Sequence, residues 1–151
     1  MRKPVFCLAL IGAIVVTSFA HAQRLAVTRS SCPETPTVRE TPPSVASADP
    51  FGSGPWHVNA DRTLWVFNAS FPEWRQGLNH KVMWIRPGTD LRVTGKRLDA
   101  PSPPLETEIT CCYGPGFQVG TVTFPAAGCW NVTAIAGAAT MEFVTRVWPR
   151  P

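Results

Sequence analysis

The chain is poor in histidine, carries no run of like charge and shows no helical period, and each shortage removes a class of function. Three histidines occur in 151 residues, His21, His57 and His80. The doubled Cys111-Cys112 lacks the two-residue gap of a zinc or thioredoxin-like motif and has no histidine nearby, so neither a metal nor a cofactor is expected. No serine stands in a Gly-x-Ser-x-Gly elbow, which leaves a triad of His57, Asp61 and some serine without motif support. Basic residues are scattered, and Lys96-Arg97 is the only adjacent pair beyond the N-terminus. Nothing here would track a phosphate backbone, and no nucleic-acid partner is expected.

Long apolar runs are scarce too. The one that exists opens the chain, MRKPVFCLALIGAIVVTSFAHAQ. Two basic residues precede an apolar core from Val5 to about Phe19, which is shorter than the ~20 residues that span a bilayer, and Ala20-His21-Ala22 closes it. This reads as a secretory signal over 1–22, cleaved after Ala22, with no integral membrane segment afterwards and a secreted or periplasmic product. Cys7 lies inside the apolar run rather than after it, which argues against lipidation. Arg2 and Lys3 leave with the leader, so the 14 basic and 10 acidic residues of the full chain become a nearly neutral mature protein.

The next segment, QRLAVTRSSCPETPTVRETPPSVASADP, is rich in Pro, Ser and Thr. With so few large apolar side chains it cannot offset its ordering entropy, and residues 23–50 are expected to form a disordered tether. Residues 51–151 are long enough for one core and make a single domain.

That domain is all-β by its pattern. TLWVFNA alternates Leu64 and Val66 against Trp65 and Phe67. KVMWIR is apolar on both faces, LRVTG continues it, and PLETEIT sets Leu105, Thr107 and Ile109 opposite Glu106, Glu108 and Thr110. VGTVTF leads to Pro125. After the Pro125-Ala-Ala-Gly128 corner, Trp130, Val132 and Ala134 share one face. Gly137-Ala138 supplies a two-residue reversal into TMEFVTRVW, whose Met141, Phe143 and Val147 also face inward. The expected architecture is an antiparallel β-sandwich.

The runs RLDAPSPPLETEI, YGPGFQVGTVTFPAAGCWNVTAIAG and MEFVTRV resemble segments of small, uncharacterised secreted bacterial proteins with a terminal Gly-Cys-Trp-x-Val-Thr strand. The similarity spans Arg97 to Val147, with Gly128-Cys129-Trp130 as its most distinctive part. It implies an immunoglobulin-like sandwich and an extracytoplasmic setting, and carries no activity or catalytic residue. Cys111-Cys112 departs from its pattern. Asn68-Ala-Ser70 and Asn131-Val-Thr133 match glycosylation acceptors, but a bacterial setting and a strand position for Asn131 argue against their use.

Cys32, Cys111, Cys112 and Cys129 remain after maturation, and four cysteines allow three complete pairings. Alternation sends Cys112 outward and Cys129 away from Trp130, which favours Cys112 with Cys129. That bridge would close a loop of about 17 residues, worth ~3 kcal/mol on chain entropy. Cys32 and Cys111 would then pair or stay free.

Six tryptophans are more than a sandwich of this size ordinarily buries. Trp84 and Trp130 are the core candidates. Trp74 and Arg75, in the polar FPEWRQGLNHK segment, and Tyr113 and Phe117, flanking GPG, are the candidate ligand-binding residues of an aromatic loop surface. An unknown extracytoplasmic protein or glycan is the expected partner, and the expected function is a non-catalytic binding or interaction module. Two alternatives stand beside it. One is a small hydrolase using Glu106 and Glu108, about 7 Å apart on one strand face, or His57. The other is a protease inhibitor presenting loops such as GPGF.

Overall fold

Period-two burial sorts the sequence into two sheets. The computed structural model describes residues 31–43, 54–88, 90–111, 113–114 and 116–151; the expected leader lies outside them. Nine strands succeed one another among the described residues: β1 His57–Val58, β2 Trp65–Asn68, β3 Trp74–Arg75, β4 Asn79–Arg86, β5 Leu91–Arg97, β6 Glu106–Ile109, β7 Gly116–Thr123, β8 Gly128–Ala136 and β9 Ala139–Trp148. One sheet has the order β1-β2-β4-β7-β6 and the other β3-β9-β8-β5. All pairings are antiparallel except the short β3–β9 contact. The protein is an all-β sandwich, as its alternation predicts.

The inner faces meet in one core. Trp84 and Val82 from β4, Val122 from β7, and Trp130, Val132, Ala134, Met141, Phe143 and Val147 from the β8–β9 hairpin are buried together. That hairpin turns at Gly137-Ala138 with Ala136 facing Ala139. Gly137 sits at φ 58° and Ala138 has no positive φ, the signature of a type II′ turn, where glycine takes the first central position. At the other end of β8, Gly128 has φ 140°, and a Cβ there would run into the Arg97 and Asp99 side chains. These two groups pair at 2.6 Å. Glycine before Cys129 is therefore required by the backbone and by its neighbours at once.

The tryptophan expectation needs correcting. Five of the six are buried, Trp56, Trp65, Trp74, Trp84 and Trp130, and only Trp148 is exposed. A second apolar cluster accounts for the excess: Trp56, Trp65 and Ile85 pack together, covered by Val38, Val58 and Phe67. Ile85 and Trp65 alternate with the inward-facing Trp84 and Val66, so this cluster coats the outer face of the five-stranded sheet.

Val38 comes from the segment expected to be a disordered tether. Instead, residues 32–42 form a strap laid against the domain. The Thr35 N–H donates to the Val144 carbonyl at 2.8 Å, and the Val144 N–H donates to Thr35 Oγ1 at 2.9 Å. Further on, Val38 and Trp56 exchange two backbone hydrogen bonds of 2.8 and 2.9 Å. The strap thus runs from the edge of β9 to the edge of the opposite sheet, bridging the open side of the sandwich. Glu40 pairs with Arg62 and Pro42 is buried. Low apolar content did not prevent order here, because two sheet edges offered unpaired backbone groups to satisfy.

A covalent bond fixes the strap. Cys32 is joined to Cys129, with Cα atoms 5.3 Å apart. The favoured pairing of Cys129 with Cys112 is therefore overturned. Alternation placed Cys129 on the correct outer face, but the strap, passing over that face, brings Cys32 to it. Cys111 is disulfide-bonded as well, while Cys112 lies outside the described residues. The Cys32–Cys129 bridge spans 97 residues, and a loop of that size constrains the unfolded chain by ~4.7 kcal/mol. The double variant Cys32→Ser, Cys129→Ser is expected to lose ~4 to 5 kcal/mol in urea unfolding and to become cleavable by trypsin at Arg39 before the sandwich is cut. An unchanged urea midpoint would show that the bridge does not stabilise the fold.

Candidate binding groove

Bridging an open side leaves space beneath the bridge. A groove of about 770 Å³ runs there, walled by the strap at Glu34–Thr37, by His57 of β1, by Phe67 and Phe71, and by Trp74, Thr145 and Trp148 from the β3–β9 side. Its volume falls in the range of small-ligand sites, ~300–1,000 Å³. Phe71 is 40% exposed and Trp148 45%. The Arg146 guanidinium covers Trp148 at 5.6 Å from the ring centroid. A chain of edge and tilted ring contacts then leads inward: Phe71 to His80 at 5.3 Å, His80 to Trp74 at 5.1 Å, Trp74 to Phe124 at 5.3 Å, and Phe124 to Trp130 at 5.4 Å. Phe71 is thereby tied to the core.

His57 is the unusual member. Its ring stacks on Phe143 at 4.2 Å and 16°, it is 7% exposed, and its Nδ1 has no hydrogen-bond partner among the described residues. Burial disfavours the imidazolium and lowers its pKa from 6.5 to about 4. No described carboxylate orients the ring through Nδ1, so the catalytic arrangement with Asp61 does not form. His80 contrasts with it. The Arg75 N–H lies 2.9 Å and the Arg75 carbonyl 3.0 Å from His80 Nε2, and the Asn68 amide 3.3 Å from Nδ1. Its pKa is also lowered, chiefly by burial and against the opposing Arg75 hydrogen bond. His80 is a satisfied core residue that holds β3 against β4.

Of the four candidate ligand-binding residues, only Trp74 lines the groove, and it does so as a core residue, 8% exposed. Arg75 binds Glu73 at 2.7 Å and the Pro149 carbonyl at 3.3 Å. The polar segment around them is a strand because β9 offers a parallel edge, Trp74 beside Val147. Tyr113 and Phe117 do meet edge to face at 6.2 Å, yet Phe117 pairs with Ile85 while Trp74 packs on Phe124. Phe124, just past the end of β7, lies seven positions beyond Phe117, roughly 23 Å at strand rise. The two aromatic pairs stand at opposite ends of the sandwich and make no common surface. At the Tyr113 end, Arg86 Nη2 donates to Gln118 Oε1 at 2.8 Å and to the Tyr113 carbonyl at 3.2 Å, which pins that loop.

Glu106 and Glu108 lie exposed on edge strand β6, opposite Thr123 and Thr121, and neither lines the groove. Among the described residues, no three His, Cys, Asp or Glu side chains gather to hold a metal. No known protein-family model matches the chain, and no curated protein matches it in sequence. Phe71, Trp148 and the strap join the groove without having stood out in the sequence. Trp148 was visible in principle: it falls out of phase with inward-facing Val147, which marks it as an outward tryptophan at a strand end.

These positions lead to two expectations. Trp74→Ala should destabilise the fold by ~3 to 5 kcal/mol, as for other large core truncations, and a loss under about 1 kcal/mol in urea unfolding would show that Trp74 is not part of the core. For His57, the unfolded chain takes up a proton below pH 6.5 and the folded chain only near 4. Stability is therefore complete above 6.5 and declines toward pH 4, by on the order of 3 kcal/mol in total. Urea midpoints across that window should flatten in His57→Phe, and equal slopes in variant and wild type would refute the assignment.

Proposed function

We propose that this protein is a non-catalytic, extracytoplasmic binding module whose ligand occupies the groove under the N-terminal strap. The observation that carries this reading is convergence: two exposed aromatic rings, a buried imidazole and the strap line one concavity. Glu106 and Glu108, the carboxylate pair that hydrolysis would need, lie elsewhere on an open strand face. An immunoglobulin-like ancestry and export through the leader at 1–22 belong to the same proposal. They are supported by the two-sheet sandwich and by the disulfide chemistry, which persists in oxidising compartments.

The rim geometry suits binding. Phe71 and Trp148 expose ring surface while their neighbours anchor them, so little freedom is lost when a ligand docks. Both can be truncated without opening the core. Trp148→Ala and Phe71→Ala should each change stability by less than about 1 kcal/mol and abolish retention on immobilised cell-envelope glycans or envelope proteins that retain the wild type. Tyr113→Ala and Phe117→Ala should leave retention intact. The opposite pattern, with loss on changing Tyr113 or Phe117 alone, would move the site to the other end of the sandwich and end this reading.

A further inference from the structure

Cys111 holds a bond whose partner follows by elimination. The chain has five cysteines, Cys7, Cys32, Cys111, Cys112 and Cys129. Cys32 and Cys129 are joined to each other, and Cys111 is disulfide-bonded as well. Its partner within the chain is therefore Cys7 or Cys112. Cys7 belongs to the leader expected to be removed on export, which leaves the mature protein with the adjacent Cys112.

A bridge between neighbours differs in kind from the bridge that fixes the strap. It closes no loop of chain, so it takes almost no freedom from the unfolded state and contributes almost nothing to stability. Neighbouring Cα atoms stand ~3.8 Å apart, whereas a disulfide ordinarily spans ~4.4–6.8 Å. Joining neighbours therefore strains the bond, and strained, accessible disulfides are the labile ones. Cys111 is exposed, while Cys129 is buried. The accessible bond is thus the one whose loss costs the fold least.

The segment around Cys111 is held at both ends by one buried pair. Gln118 donates from Nε2 to the Thr110 carbonyl at 2.6 Å. Arg86 donates from Nη2 to the Tyr113 carbonyl at 3.2 Å and to Gln118 Oε1 at 2.8 Å. Both side chains are buried, and in sequence the two cysteines lie between the two carbonyls they hold. Arg86 Nε and Nη1 have no partner among the described residues, so there the guanidinium relies on Gln118 and Tyr113. The Tyr113 bond is the longest of these and the weakest.

We infer that the Cys111–Cys112 bond is a thiol–disulfide exchange site, opened by a dithiol reductant, and that its opening releases the Tyr113 carbonyl from Arg86. The reductant's first thiolate attacks the Cys111 sulfur, forming a mixed disulfide and expelling Cys112 as a thiolate that takes up a proton. Its second thiolate then displaces Cys111, which is protonated in turn. Two electrons pass to the protein, and the reductant leaves as its own disulfide. Reduction restores the rotation that the ring had locked between Thr110 and Tyr113, and the long Arg86 bond is the first to go. The site lies at the end of the sandwich away from the groove and does not depend on it.

The test starts from protein isolated without reductant, treated with iodoacetamide and digested with chymotrypsin and a glutamate-specific protease. The expected fragment is Ile109 to Tyr113, unalkylated and lighter by two hydrogens than its dithiol form. Alkylated Cys111, or Cys111 linked to Cys7 or to a second copy, would overturn the pairing. Native protein is then titrated with dithiothreitol, and each bridge is scored by alkylation. Cys111 should open at a dithiol concentration about 10-fold or more below that needed for Cys129; opening of both together would show that Cys111 is no exchange site. In ¹⁵N spectra the Arg86 Nε resonance should shift as Cys111 opens, while Trp130 Nε1, bonded to the Ala126 carbonyl at 2.9 Å, stays in place. The variant Cys111→Ser, Cys112→Ser should hold the Arg86 resonance at its reduced position with or without dithiol, and the wild-type titration carries the test if that variant does not fold. An Arg86 resonance indifferent to reduction would overturn its release from Tyr113.

Discussion

The structure depends on how the open side of the sandwich is closed. A two-sheet fold leaves edge strands with unpaired N–H and C=O groups, and these must be paired or covered. In this protein the edges of β1 and β9 face the same side, and a short extended strap satisfies both. Backbone pairing alone, at one or two residues per edge, would leave so polar a segment free to leave. The bond from Cys32 to Cys129 converts that weak attachment into a fixed wall. Groove, rim and the outer tryptophan cluster beneath Val38 all derive from this one constraint.

Aromatic side chains are distributed accordingly. Most are structural, filling the inner core or shielding the outer face of the five-stranded sheet. The ring chain from Phe71 through His80, Trp74 and Phe124 to Trp130 joins Phe71 to a fully buried residue of β8. A ligand meeting that rim meets a surface whose side chains are already held, which is the condition under which modest contact area yields useful affinity.

The strand pattern was largely legible from the sequence. Alternation located β2, β4, β5, β6, β7, β8 and β9 and separated the two faces of β2, β6, β8 and β9, because a half-buried strand cannot exchange its faces without losing the core. Trp130 inward, Cys129 outward and the Gly137-Ala138 turn were all readable locally. Two short strands were not. His57–Val58 and Trp74–Arg75 each contribute two residues, too few for any period to show, and they are strands only because an edge lies beside them.

The sequence by itself determined which residues alternate, which therefore face inward, and that a cysteine on the outer face of β8 would seek a partner. It could not determine which partner, since that depends on the path of a segment with no period of its own, and the path is set by distant edges on two different sheets. Nor could it bring Trp148, Phe71 and His57 together, or separate Trp74 from Phe117 by the length of a strand. Those relations join positions far apart in the chain. Only the packing of one sheet over the other, with the strap across their open side, decides them.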